Sequence, residues 1–272
     1  MKILKIYQEG TLRQTEKRRI AMDLWDLFDG DRILRGELKK YNKSYFDKYD
    51  IIFSIPINRY SKQPENMDVI NKMKDSKARI VLFESDSCYN SFNDPLYDNI
   101  DFIFYRCLDK NGNTPSKNSQ WLPWSVNTNR FTAKYGGKGI AFCCTISKAY
   151  PLRMEISKIM NHIECIGDDY IRLLQNSGAA IHTVSEIVNK VRAKILEFAS
   201  CGTQIISNRT ENMNYYYPDE LITYFDTVDN LKEIIKRFRP NIEIQKELRY
   251  ITELKHTHKI RSKMISDIIN NL

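Results

Sequence analysis

The sequence predicts an α/β protein of two doubly wound parallel-sheet domains that face each other across a cleft. Three observations carry this prediction. Short apolar runs alternate with helical patterns along the chain, which argues for parallel strands joined by right-handed crossovers. Several runs are near-continuously apolar, as strands covered on both faces must be. The length, 272 residues, is long for one domain and suits two of about 100–150 residues.

In chain order, strands are expected at KILKIY (2–7), DIIFSIP (50–56), ARIVLF (78–83) and DFIFY (101–105). Between them TEKRRIAMDLWDLF (15–28) carries Ile20, Leu24 and Phe28 at helical spacing, and PENMDVINKMKD (64–75) is a second helix. The stretch WLPWSVNTNRFTAKYGGKG (121–139) is a linker by its proline, polar cluster and glycines. Those glycines precede a strand, whereas a dinucleotide fingerprint follows one and opens a helix. The second half repeats the alternation. Strands are expected at GIAFCCT (139–145), HIECIG (162–167), AAIHTV (179–184), TQIIS (203–207) and LITYF (221–225). Helices fill 150–161, 169–176, 189–200 and 228–238, and 243–271 forms one or two basic helices. The expected domains are 1–125 and 126–245, with a helical segment at 246–272 that packs back toward the first.

Composition narrows the functional classes. Hydrophobic residues at 42% and charged residues at 28% describe an ordinary soluble globular chain with a sizeable core. No apolar run approaches the roughly 18 residues of a spanning helix, and MKILKIYQEG has too short an apolar stretch for a signal peptide. The cysteines, Cys88, Cys107, Cys143, Cys144, Cys165 and Cys201, form no C-x-x-C pair, and the histidines have no metal-ligand spacing to them. Buried free thiols in a reducing, cytoplasmic compartment are expected, with no metal site. DGD (29–31) is expected to be a turn and GDD (167–169) the opening of a helix. The net charge of +8 suits a polyanionic partner, although basic proteins without one are common.

Ligands of doubly wound domains bind at the carboxyl ends of the strands. The helix after AAIHTV should therefore present its N-terminus there, with Lys190, Arg192 and Lys194 of KVRAK around its first turns. Such an end binds a diphosphate, or the three cations form a solvated basic face. Glu197 lies three residues after Lys194, on the same helical face. It either pairs with Lys194 or accepts hydrogen bonds from vicinal hydroxyls. Gly202 caps the helix in a left-handed conformation. The loop Asn208, Arg209, Thr210 and Glu211 emerges at the same edge, to grip a ligand or to cap the next helix. Glu84 and Asp86, at the carboxyl end of ARIVLF, are the candidate bases; an Asp that caps a helix is the structural alternative to Asp86. The loop QEGTLRQTEKRR (8–19), with Gly10, Thr11, Arg13, Arg18 and Arg19, opens to the same cleft and is basic. It suits a phosphate-rich acceptor, or forms a solvated helix face.

These residues also carry a resemblance. KVRAKILEFASCGTQIISNRTENMNYYYPDELITYFDTVDNLKEII resembles the C-terminal domain of GT-B glycosyltransferases, in particular the spore-protein CgeB-like group with its R-L-F-E-x-x-A-C-G…T-x-R-x-x-E…F-P…E…Y-F-D pattern. LPWSVNTNRF (122–131) is similar to that group's interdomain LPWGVDPxxF, and HTHKIR to its final HTxxHR. The resemblance implies two Rossmann-like domains: an acceptor-side domain first, and a second that holds a nucleoside diphosphate sugar, a UDP-sugar by preference. It implies that Glu197 binds the ribose, that Lys194 and Arg153 lie near the diphosphate, and that Asn208, Arg209 and Glu211 line the sugar. No metal or further cofactor is implied. Related retaining enzymes carry a second glutamate eight positions before the ribose one. Asn189 stands there, which leaves retaining and inverting outcomes both open. The implied activity is transfer to an acceptor hydroxyl, such as a hydroxymethylated base in DNA. The alternatives are a cell-envelope, spore polysaccharide or protein acceptor, and a non-catalytic nucleic-acid or anion binder on the same scaffold.

Overall fold

Among the described residues, ten parallel strands form two sheets in a computed structural model. It describes residues 1–7, 24, 27–54, 71, 73–84, 100–106, 118–148, 150–184 and 191–272, with Arg35 and Glu84 described in their backbone only. The chain divides into two units, Met1–Pro123 with Arg261–Leu272, and Trp124–Ile260.

The first unit is a six-stranded sheet in the order β2-β1-β3-β4-β5-β6. Its strands are β1 (Ile3–Tyr7), β2 (Asp31–Leu34), β3 (Ile51–Ser54), β4 (Arg79–Glu84), β5 (Phe102–Tyr105) and β6 (Ser119–Trp121). Every pairing is parallel. Alternate residues feed opposite cores, as strand geometry requires. Ile3 and Tyr7 of β1 join Phe53, Phe83 and Phe104 on one face; Leu4 and Ile6 join Ile33, Ile52 and Ile80 on the other. Ile265 and Ile269 from the end of the chain complete the first of these cores. Lys5 is buried among them, and its ammonium donates to the Phe28 carbonyl at 2.6 Å. A short helix, α1 (Lys43–Phe46), is capped by the Asn42 side chain and drops Phe46 into the second core.

The two strands absent from the expectation, β2 and β6, are the outer strands of this sheet. Asp31 and Arg32 of β2 are exposed and the residues of β6 half-buried. An edge strand carries polar residues that mask its apolar pattern. DGD, expected as a turn, instead leads from irregular chain at Asp29–Gly30 into β2, with Asp31 already paired to Leu4. The expected helices 15–28 and 64–75 lie largely outside the described residues.

The second unit is a four-stranded sheet in the order β10-β9-β8-β7. It comprises β7 (Ile140–Ala141), β8 (Ala179–His182), β9 (Gln204–Asn208) and β10 (Ile222–Phe225). Its helices are α2 (Pro151–Ile156), α3 (Gly167–Asn176), α4 (Lys194–Ser200), α5 (Met213–Tyr216), α6 (Val228–Arg237), α7 (Ile242–Lys255) and α8 (His258–Ile269), the last crossing into the first unit. Ala180 and Ile205 face a core with Leu196, Phe198 and Ala199 of α4. Ala179, Ile181 and Ile206 face the other side with Ile156 of α2 and Leu231 of α6.

Three expectations are corrected here. GIAFCCT is a strand only at Ile140–Ala141: beyond it Phe142 O accepts from Ile163 N, and the carbonyls of 143–145 are taken by side chains instead of a ladder. Cys143 O accepts from Lys194, Cys144 O from His162 and Thr145 O from Arg153. HIECIG is not a strand. Ile163 and Ile166 are exposed, a single backbone bond joins Ile163 N to Phe142 O (2.9 Å), and Gly167 opens α3. The helix expected from 189 begins at Lys194. Just before it, the Val191 carbonyl accepts the Trp124 indole N–H at 3.0 Å. Gly202 follows the helix at φ 75°, and a Cβ there would lie 3.0 Å from the Lys134 carbonyl oxygen and 2.9 Å from the Tyr135 ring. Only glycine takes that conformation at no steric cost.

The two family-like motifs at the ends of the second unit are bound to each other. Val126 N donates to His256 O (3.0 Å), His258 N to Val126 O (3.1 Å), and His258 Nδ1 lies 2.8 Å from Ser125 Oγ. LPWSV and HTHKIR thus form one structural clasp.

Candidate functional site

The carboxyl edge of the second sheet gathers polar side chains that the apolar strands would otherwise exclude. β8 ends on His182, and its register partner on β9 is Ser207. His182 is buried to 1% exposure. Ser207 donates its one hydroxyl proton to the Asn208 carbonyl (2.9 Å), so at 3.0 Å from His182 Nδ1 it can only accept. That pairing assigns the ring proton to Nδ1. Nε2 is a bare acceptor with no partner among the described residues. Burial, with the charges of Arg153, Lys194 and Arg192 added, pushes the imidazole down to about 3. The ring is neutral at physiological pH.

Arg153 reaches this point from α2. Its Nε donates to Thr183 Oγ1 (2.7 Å), Nη2 to Thr183 O (3.1 Å) and Nη1 to Thr145 O (3.1 Å), while the guanidinium stacks 3.9 Å from the Tyr150 ring centroid. A guanidinium fixed by three bonds and a stacked ring is pre-organised. Lys194 reaches the same point from the first residue of α4, its ammonium on the Cys143 carbonyl and 5.6 Å from the Tyr170 ring.

Glu197 lies one turn along from Lys194 and is half-buried. Its Oε2 accepts from the Tyr170 hydroxyl of α3 at 2.7 Å. Burial is the largest influence and raises its pKa; Tyr170, Lys194 and Arg130 oppose it. Burial raises the Tyr170 phenol well above its ordinary range, with the Glu197 charge the next cause. It also pushes the nearby thiols of Cys143 and Cys201 up to about 12. Both are unreactive thiols.

Of the residues singled out in the sequence, Glu197, Lys194, Arg192 and Arg153 thus come together in one unit. Asn208 ends β9, and its Oδ1 accepts from Val184 N (3.1 Å), which ties β9 to the end of β8. Arg209 turns toward β10: it lies 4.6 Å over the Tyr224 ring, with Nε 3.8 Å from Asp226. Thr210 is half-buried and Glu211 exposed. Lys190, Asp86, Gly10, Thr11, Arg13, Arg18 and Arg19 lie outside the described residues, as does the side chain of Glu84, whose backbone closes β4 opposite Tyr105. Tyr170 and His182 were not found from the sequence. A polar residue that ends the apolar strand AAIH was a signal for His182; a contact 27 positions away left none for Tyr170. Among the described residues, no group of three or more His, Cys, Asp or Glu is arranged to hold a metal ion, and no helix is long and apolar enough to cross a membrane.

Residues 129–264, half of the chain, match a family described as glycosyl transferase-like. The chain belongs to this family. HTHKIR of the clasp, α2, α3, β8, α4 and β9 fall within that match, and LPWSV (122–126) lies just before it. No curated protein gives a significant sequence match. Solved structures extend the likeness to the full chain. Anabaena Alr3699/HepE in complex with UDP-glucose is 10% identical with a TM-score of 0.69 over 100% of both chains. An alpha-glucosyltransferase in complex with UDP and a 13-mer DNA containing an HMU base is 14% identical, TM-score 0.62, over 99% of each. AviGT4, a glycosyltransferase involved in avilamycin A biosynthesis, is 10% identical, TM-score 0.64, over 99% of this chain and 97% of its own. At such identities these likenesses speak for the fold, which is GT-B. This glycosyl transferase-like chain thus has the α/β, parallel-sheet architecture expected from its sequence.

Proposed function

We propose that the enzyme transfers a sugar from a UDP-sugar to an acceptor hydroxyl and holds the donor at the carboxyl edge of its second unit. One observation carries this reading: the charges of Arg153, Lys194 and Arg192 all act on His182, and Lys194 acts as well on the Glu197 carboxylate one turn along α4. The cations, with Lys190, meet the charge of a diphosphate and of its departure; fixed charges aimed at a leaving group need no reorganisation as the bond breaks. Glu197 accepts hydrogen bonds from the ribose hydroxyls, and Asn208 to Glu211 line the sugar. The acceptor oxygen bonds to the anomeric carbon. The bond from that carbon to the β-phosphate oxygen breaks with its electron pair on the phosphate, and the acceptor proton passes to Asp86 or Glu84. UDP-glucose in the Anabaena neighbour supports the choice of nucleotide. No metal or additional cofactor enters the proposal.

For the acceptor we favour a hydroxymethylated base in DNA, which would also make the enzyme cytoplasmic. The net charge of +8, the basic loop 8–19 and the DNA-bound structural neighbour support it. The CgeB-like motifs favour a second reading, a spore or cell-envelope polysaccharide or a protein. Thermal-shift measurements with UDP, UDP-glucose, GDP and TDP-sugars test the donor: the uridine nucleotides should raise the melting temperature most. Stabilisation by none of them would remove the donor site. Transfer of labelled glucose to hydroxymethylated DNA, measured against unmodified DNA, tests the acceptor. Equal background in both would leave the polysaccharide or protein reading.

A further inference from the structure

We infer that Tyr170 is a positioning residue for the donor: its hydroxyl fixes Oε2 of Glu197 and so keeps the carboxylate ionised and oriented, with Oε1 left to accept from the nucleoside hydroxyls. This rests on the donor site proposed above. The geometry is a 2.7 Å bond from a side chain on α3 to one on α4. Phe131 meets the Tyr170 ring edge-on at 6.4 Å and the Lys194 ammonium lies 5.6 Å from its centroid, so the phenol is braced on two sides. Among the described residues, no hydrogen bond engages Oε1.

A buried carboxyl tends to take up a proton, and a protonated one is a poor partner for two hydroxyl donors. The groups that face Glu197 are Tyr170 from α3, Lys194 from its own helix, Arg130 from the linker, and the thiols of Cys143 and Cys201. Both thiols stay protonated and give no charge. The two cations and the Tyr170 hydroxyl are what favour the carboxylate, and Tyr170 comes first among them. Without its hydroxyl, burial raises the Glu197 pKa further. UDP affinity should then fail toward acid at a higher pH than in the wild type.

The test is isothermal titration of the full chain with UDP between pH 6 and pH 9. Tyr170→Phe should bind about tenfold more weakly than wild type at pH 6, in line with the worth of a hydrogen bond to a charged group. The deficit should shrink steadily toward pH 9, because rising pH favours the carboxylate with or without the Tyr170 hydroxyl. A uniform deficit at every pH, or none, would overturn the inference, since lost packing has no reason to titrate. If the phenylalanine variant does not fold, a fluorinated tyrosine at 170, a stronger donor, should move the acid limb to lower pH; an unmoved limb overturns the inference as well. Glu197→Gln separates the two levels. Loss of UDP binding at all pH values supports the donor site whatever Tyr170 does. Wild-type binding by Glu197→Gln would sink the site itself.

Discussion

A half-buried carboxyl on α4 and a buried imidazole at the end of β8 show how loss of hydration gives opposite chemistry. Glu197 and His182 both lose hydration, and both are pushed toward their neutral forms. Around Glu197 the neighbours oppose that push: Tyr170 donates to it, and Lys194 and Arg130 attract its charge. Around His182 they reinforce it, because Arg153, Lys194 and Arg192 repel a second positive charge. Lys194 acts on both, with opposite sign. Lys194 therefore favours the charged form of Glu197 and the neutral form of His182. The site is specified by which neighbours each buried group has, since burial alone would neutralise both.

The sharpest way to break this arrangement is to remove its best-anchored cation. Arg153→Ala should lower UDP affinity about a hundredfold, the upper range for a charge-assisted bond. It should also raise the His182 pKa, because Arg153 is the first charge acting on it after burial. Calorimetry with UDP and an NMR titration of the imidazole read the two effects. Arg153→Lys keeps the charge and loses the fork of three bonds, so it should fall between alanine and wild type. If UDP affinity of the alanine variant stays within about threefold of wild type, the cations at His182 do not hold the diphosphate.

Much of this site was open to inspection in the sequence, and the reason for the remainder is physical. Lys194 and Glu197 stand three apart on a helix, a spacing that makes them neighbours in any fold. The sequence suggested they could pair with each other. In the structure Lys194 donates to Cys143 O and Glu197 accepts from Tyr170, over separations of 51 and 27 residues. Spacing cannot report such contacts. The same holds for the strand overextended through Cys143–Thr145: apolar residues there predicted a ladder, but the carbonyls belong to Lys194, His162 and Arg153. The alternation of strands and helices was legible because both faces of each sheet are covered. Edge strands β2 and β6 were not, since their exposed sides carry polar residues. The motifs LPWSV and HTHKIR were visible as a likeness, while their mutual clasp needed coordinates.

The comparison of the two buried groups is sharpened by stability measurements against pH. The folded His182 pKa, about 3, lies below the unfolded value of about 6.5. Below pH 6.5 the unfolded chain binds the proton that the folded chain refuses, so stability falls as pH drops from about 6.5 toward 3. At pH 5 the loss is about 2 kcal/mol. Glu197 has the opposite sign: its raised folded pKa makes stability fall as pH rises above the unfolded carboxyl value of about 4.3. Urea denaturation at pH 5 and pH 7 should show His182→Gln gaining about 2 kcal/mol relative to wild type on going from pH 7 to pH 5. Glu197→Gln should shift the balance the other way. Equal pH gradients in wild type and His182→Gln would mean the imidazole is not held neutral.

The smallest effect is expected where the edge is most exposed. Arg209 is two-thirds exposed, stacked on Tyr224 and 3.8 Å from Asp226. A surface ion pair and a surface cation–π contact contribute about 0.5–1 kcal/mol each at most. Arg209→Ala should therefore lower the melting temperature by only a few degrees. Its UDP affinity should remain within about twofold of wild type, because Arg209 faces β10 and not the cations around His182. A role in holding the sugar predicts something else for the same variant: weaker binding of UDP-glucose with UDP binding unchanged. Calorimetry with the two ligands side by side decides it. A loss confined to UDP-glucose assigns the Asn208–Glu211 loop to the sugar. Equal affinities for both in variant and wild type make Arg209 a surface brace for β10 and leave the sugar to other residues.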